Sequence, residues 1–129
     1  MGKFVVLLVE DAPVHQQLAK IIIEPHAELL IAGTVTAGYR YLLERSDITH
    51  VILDGYVPRF ESGPTNANDN TLELATHILH AYPEVKSYSA SSDSCMNHAL
   101  VLRGCINADK KAAPRMVVMD VLSRAQSKI

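Results

Sequence analysis

Residues 4–11 read Phe-Val-Val-Leu-Leu-Val-Glu-Asp. Six apolar residues without polar alternation describe a strand buried on both faces, as in a parallel sheet covered by helices. The two acids that follow stand at its C-terminal tip. In an open α/β sheet, the crevice at the carboxyl ends of the strands is where ligands bind. The pattern recurs along the chain: Asp54 ends the run Val51–Leu53, Ser89 follows Val85–Tyr88, and Lys111 follows a short segment beginning at Ile106.

Helical signals separate these runs. Val14, Leu18, Ile21 and Ile22 make one apolar face of a helix closed by Pro25. Leu29–Val35 reads as a second strand, with a short helix around Tyr39, Leu42 and Leu43. His50–Leu53 is the third strand, and the Asn-, Gly- and Pro-rich stretch 59–70 reads as loop. Leu72, Ala75 and Leu79 mark a third helix ended by Pro83. A fourth strand over 85–89 and a fourth helix over about 94–103 follow, with Gly104 as its C-terminal cap. Ile106–Asp109 is a weak fifth strand, and Val118, Val121, Leu122 and Ala125 define a last helix with Pro114 near its first turn. Five βα units without a compositional break predict an α/β fold: one doubly wound, five-stranded parallel sheet in a single domain over residues 1–129.

Composition narrows the function classes. The chain has 129 residues, 48% hydrophobic, enough for a real core, and a formal net charge of −2. The lack of a clustered basic stripe argues against direct nucleic-acid binding. No apolar stretch approaches the ~20 residues of a membrane span, and the run at Phe4–Val9 is too short for a signal peptide. A cytoplasmic protein is expected, with Cys95 and Cys105 as reduced thiols. His77 and His80, three residues apart, lack a third ligand and are expected to be solvent-exposed. His15 is likewise expected at the surface, and Met116 and Met119 as core filler.

The strand-tip residues have a chemistry of their own. Mg2+ takes oxygen ligands, typically one or two carboxylates together with waters and phosphate oxygens. Glu10, Asp11 and Asp54 supply such carboxylates, and crowding them without a cation is costly. One carboxylate can then attack phosphorus and form an acyl phosphate. Asp54, alone on a central strand tip, is the expected acceptor, with Lys111 pairing a phosphoryl oxygen and Ser89 donating to another.

At these residues the chain resembles the receiver domain of bacterial two-component response regulators. "VVLLVEDAPV" (5–14) is similar to the family's first strand and acidic pair, and "HVILDGYVP" (50–58) to its phosphoacceptor strand, with Pro58 in place. "SYSAS" (87–91) and "GCINADKKA" (104–112) resemble the hydroxyl-bearing strand and the segment leading to the family lysine, a register that selects Lys111 over Lys110. The resemblance implies a flavodoxin-like strand order 2-1-3-4-5 and a receiver without an output domain. It further implies Mg2+ (or Mn2+) on Glu10, Asp11, Asp54 and the backbone carbonyl of Tyr56. Phosphate would reach Asp54 from a phosphohistidine of a sensor histidine kinase or phosphotransfer protein, switching a surface for a downstream protein target. Such a protein is no enzyme beyond its own phosphotransfer and dephosphorylation. Tyr56 and Ser91 match the two positions that tune phosphate lifetime in the family.

Three departures stand out. Ala108 occupies the position of the family's aromatic switch residue, and Ala112 that of the Pro after the lysine. A non-proline cis bond costs roughly 2.5–4 kcal/mol, so the 111–112 peptide is expected trans or strained. The loop from Pro58 to Leu72 is longer than the family's and is expected to be a solvated spacer. Ala108 and Ala112 also suggest the alternative, a pseudo-receiver acting as a phosphorylation-independent interaction module. A haloacid-dehalogenase-like phosphatase fits poorly: that family's first strand tip carries two Asp residues one apart, whereas this strand ends Glu-Asp followed by Ala12, and no cap domain is expected.

Overall fold

The first strand, β1 (Val5–Val9), is buried along its whole length and is flanked in parallel by β2 (Glu28–Ala32) and β3 (His50–Leu53). In this computed structural model, which describes residues 3–63 and 66–127, β4 (Lys86–Ser89) completes a four-stranded parallel sheet ordered β2-β1-β3-β4. Consecutive residues of β1 point to opposite faces, so each face has its own core. Val5, Leu7 and Val9 pack with residues of α2 (Val35–Glu44), α3 (Leu72–Ala81) and α4 (Ser94–Leu102). Val6 and Leu8 pack with α1 (Pro13–Ile23) and α5 (Ala113–Ser127). This is the doubly wound, flavodoxin-like arrangement expected from the strand runs. No helix among the described residues is long and apolar enough to cross a membrane.

The expected fifth strand is reduced to one parallel bridge, Tyr88 to Ile106, made by Ile106 N–H to Ser87 O (2.7 Å) and Ser89 N–H to Ile106 O (3.0 Å). Beyond Ile106 the ladder is continued by a side chain. The Ser89 hydroxyl accepts from Ala108 N–H (3.1 Å) and donates to Ala108 O (3.2 Å). A segment with one large apolar residue between Cys105 and Asp109 has little to hold it as a longer strand.

Two helices rotate away from the faces read in the sequence. On α1, Ala19 and Ile23 are buried while Val14, Leu18 and Ile21 are more than half exposed. Two contacts set that rotation: the Gln16 carboxamide donates to Glu10 O (2.7 Å), and the small Ala19 permits close approach to the sheet. On α5 the buried residues are Ala113, Pro114, Val117 and Val121, and Met119 is exposed. Gly104 does cap α4. It has φ +98°, with Gly104 N–H on Val101 O and Cys105 N–H on Leu100 O, the paired bonds of a Schellman ending.

At the amino ends of the strands, opposite the acids, His50 is fully buried between Phe4 and Tyr88. Its Nε2 lies 2.7 Å from Asp120 Oδ2 and its Nδ1 2.8 Å from Thr49 Oγ1, and Lys86 and Arg124 share the same carboxylate. Burial is the main force lowering the His50 pKa, opposed by Asp120.

The long β3–α3 connection is largely exposed, as a spacer would be, but it is tied down; Pro64 and Thr65 lie outside the described residues. The carbonyls of Pro58 and Arg59 accept the N–H groups of Val35 and Thr36, and Thr34 Oγ1 accepts from Ala37 N–H. The orphan donors of the first turn of α2 are therefore satisfied largely by the loop that leaves the third strand. Asp69 in turn accepts from Arg59 N–H (3.1 Å).

Candidate functional site

Chain order reverses between β1 and β3, since the chain passes from β1 outward to β2 and returns to the other side of β1 at β3. The crevice at such a reversal is the ligand site of open α/β folds. Glu10 and Asp11 leave the tip of β1 there, and Asp54 leaves the tip of β3. One carboxylate oxygen from each of the three lies within 4.8 Å of the others. Glu10 and Asp54 are buried, 2% and 5% exposed, whereas Asp11 faces solvent.

Backbone bonds fix the geometry. Asp54 N–H donates to Val9 O (3.0 Å), locking the two tips together, and Glu10 Oε2 accepts from Ala12 N–H (3.1 Å). Asp54 Oδ1 accepts from Gly55 N–H (2.9 Å), and Asp54 O accepts from the fully buried Thr71 hydroxyl (2.7 Å). The first N–H of α3, that of Leu72, donates to Asn70 Oδ1 (3.0 Å). A Cβ on Gly55 would overlap Met96 of α4, so the residue after Asp54 has no room for a side chain.

Electrostatics at the site follow from burying acids side by side. Burial raises the Glu10 pKa to about 7, the neighbouring Asp54 adds to the rise, and Ala12 N–H and Lys110 oppose it. An all-oxygen donor set of this density fits a hard divalent cation such as Mg2+, whose charge would relieve that repulsion.

The cation beside the carboxylates is Lys110, one residue from the one expected. Its Nζ lies 3.3 Å from Asp54 Oδ1 and 3.5 Å from Glu10 Oε1 with the side chain 20% exposed, whereas Lys111 is exposed. The cause is local. Asp109 Oδ1 accepts from both Lys111 N–H (3.0 Å) and Ala112 N–H (2.7 Å), capping a turn whose first residue is Lys110. An Asp followed by helix formers is the sequence signal for that cap. No peptide bond among the described residues is cis, so the 111–112 bond is trans.

Ser89 is at the site's edge, in register with Leu53, but its hydroxyl is engaged with Ala108. Ser91 is buried in the β4–α4 turn, where its Oγ accepts from Asp93 N–H (3.1 Å). Tyr56 is 44% exposed, and its hydroxyl reaches Asp93 Oδ2 at 3.3 Å. Thr71 and Asn97, which organise the tip loops, carried no motif; a buried Thr or a mid-helix Asn shows its partner only once the chain is folded.

No protein-family model matches the chain, and no curated protein matches it. Solved structures do. A CheY-like response regulator receiver domain protein from Methanospirillum hungatei superposes with TM-score 0.72 at 16% identity, covering 98% of this chain and 96% of that one. The signal receiver domain of a putative Luxo repressor protein from Vibrio parahaemolyticus gives 0.71 at 17% identity, covering 99% and 95%. A response regulator from Thermotoga maritima gives 0.68 at 18%, covering 94% and 96%. At these identities the likeness is one of fold: the chain is folded as a receiver domain along nearly its whole length.

Proposed function

We propose that the protein is a phosphoacceptor receiver in a two-component phosphorelay. Asp54 takes a phosphoryl group from a phosphohistidine on a sensor histidine kinase or phosphotransfer protein, and the phosphorylated form presents an altered surface to a downstream protein. The observation that carries this reading is the site itself: three carboxylates from two adjacent strand tips within 4.8 Å of one another, with Lys110 at 3.3 Å from the central one.

Asp54 Oδ1 is held by Gly55 N–H and faces Lys110, so Oδ2 is the attacking oxygen. An O–P bond forms as the N–P bond to the donor imidazole breaks, and the bonding pair stays on the ring nitrogen. The ring leaves neutral when its other nitrogen carries a proton. Asp54 needs no general base, because it attacks as an anion. Glu10, Asp11, Asp54 and the Tyr56 carbonyl would hold Mg2+ or Mn2+, which when bound supplies positive charge to the phosphoryl oxygens. Lys110 offers a point charge to one of those oxygens, and Ser89 turns from Ala108 to donate to another. In this reading Tyr56 and Ser91 set how readily water reaches the acyl phosphate. Beyond its own phosphorylation and dephosphorylation the protein turns over no substrate.

The alternative, a pseudo-receiver that binds partners without switching, draws on Ala108, where no ring is available to rotate. One experiment separates the two: intact mass after incubation with Mg2+ and phosphoramidate, wild type beside Asp54→Ala. A single hydroxylamine-labile phosphoryl adduct, absent from the variant and without added Mg2+, is expected. No adduct under conditions that label an active receiver would instead support the pseudo-receiver.

A further inference from the structure

Asn97, the fourth residue of α4, is a poor helix former whose side chain seeks backbone partners. Here the carboxamide is fully committed. Its Oδ1 accepts from Ser91 N–H (2.8 Å), and its Nδ2 donates to Ser91 O (2.8 Å) and to Ala108 O (2.9 Å). The last of these acceptors is shared, because the Ser89 hydroxyl donates to the same Ala108 carbonyl at 3.2 Å. One backbone oxygen therefore receives a hydroxyl from the tip of β4 and an amide from α4.

A hydroxyl carries one proton. If the Ser89 side chain rotates about its Cα–Cβ bond to bring that proton to a phosphoryl oxygen on Asp54, its Oγ moves away from both Ala108 O and Ala108 N–H. The 106–108 segment is paired to β4 only at Ile106, so Asn97 becomes its principal remaining side-chain tie. We infer that Asn97 is the positioning residue through which the Ser89 hydroxyl controls the placement of α4 against residues 106–108; this rests on Asp54 being the phosphoacceptor. A second link reaches the same helix end. Tyr56, two residues after Asp54, donates to Asp93 Oδ2, while Asp93 Oδ1 caps Cys95 and Met96. The start of α4 is thus tied to the tips of both β3 and β4.

The test is amide NMR of the whole protein before and after phosphorylation with phosphoramidate and Mg2+, with intact mass measured on the same samples. In the wild type, the amides of Cys95–Leu100 and Ala108 are expected to shift when the adduct forms. Asn97→Ala is expected to take the phosphoryl group while its α4 amides lose that response. Asn97→Asp keeps an acceptor for Ser91 N–H but cannot donate to Ala108 O. It should lose the response as well, and it carries the test if the alanine variant does not fold. In Ser89→Ala/Asn97→Ala the losses should not add, since both act through one carbonyl. A wild-type α4 response in either phosphorylated Asn97 variant would overturn the coupling and leave the reading of Asp54 intact. Absence of any adduct on the wild type would overturn that reading, and the coupling with it.

Discussion

Removing the ammonium of Lys110 while keeping its stem, as in Lys110→Met, should slow phosphorylation of Asp54 far more than Lys111→Met. The Nζ stands 3.3 Å from Asp54 Oδ1, close to where a phosphoryl oxygen would come. Two unit charges at that distance interact by about 5 kcal/mol at an effective dielectric of ~20, from 332/(20 × 3.3). Desolvation and the partial exposure of the side chain cut this to the ~1.5–3 kcal/mol typical of a hydrogen bond to a charged group. The expected loss is therefore about 10- to 150-fold in the phosphorylation rate constant, at about 1.4 kcal/mol per decade. Lys111 is exposed, and its loss should cost no more than about threefold, as for other surface charges. The assay is a time course of intact mass with phosphoramidate at saturating Mg2+, so that altered metal affinity does not enter. A large loss in Lys111→Met with little effect in Lys110→Met would refute the placement of the lysine by the Asp109 cap.

Thr71→Val deletes the buried hydroxyl that donates to Asp54 O and should lower stability by roughly 1–3 kcal/mol, read as a lower urea midpoint, with Thr71→Ser restoring it. Gly55→Ala would drive a Cβ into Met96 and should both destabilise the protein and shift the α4 amides in the unphosphorylated state. His50 has its pKa lowered in the folded protein, so the unfolded chain takes up its proton first. Its contribution is fully present above about pH 6.5 and is lost as pH falls through the lower folded value. Glu10, raised to about 7, acts with opposite sign without a divalent cation, since its folded form holds a proton that the unfolded chain releases above about pH 4.5. Comparing urea midpoints of wild type and His50→Gln from pH 7.5 down to 5 isolates the histidine: the variant should lose less stability on acidification, and equal losses would contradict this.

The sheet and its acids were legible because their signals are local. A continuous apolar run such as Val5–Val9 is satisfied by burial on both faces, and the residue after it falls on the carboxyl edge whatever the rest of the chain does. The same holds for Asp54 after β3 and for Gly104 at the end of α4, where a positive φ is met by the one residue without a Cβ. The fifth strand was legible only in position, because a single apolar residue at Ile106 marks where the segment touches the sheet and not how far it pairs.

Helix rotation and side-chain partnership depended on the folded whole. Both faces of α1 carry apolar residues, and periodicity alone cannot rank Val14, Leu18 and Ile21 against Ala19 and Ile23; a hydrogen bond from Gln16 to the backbone of Glu10 does. The choice between Lys110 and Lys111 turns on where the first helical turn starts, and one residue of phase is about 100° of rotation, enough to exchange the site for solvent. Ser89, Asn97 and Thr71 acquire their roles from carbonyls 11 to 19 residues away in the chain, at Ala108 and Asp54. The sequence by itself determined which groups stand at the strand tips, because strand burial and chain direction are local. Tertiary packing alone decided which cation meets them and what the hydroxyl beside them is bonded to, because those contacts exist only when distant segments share one buried carbonyl or carboxylate.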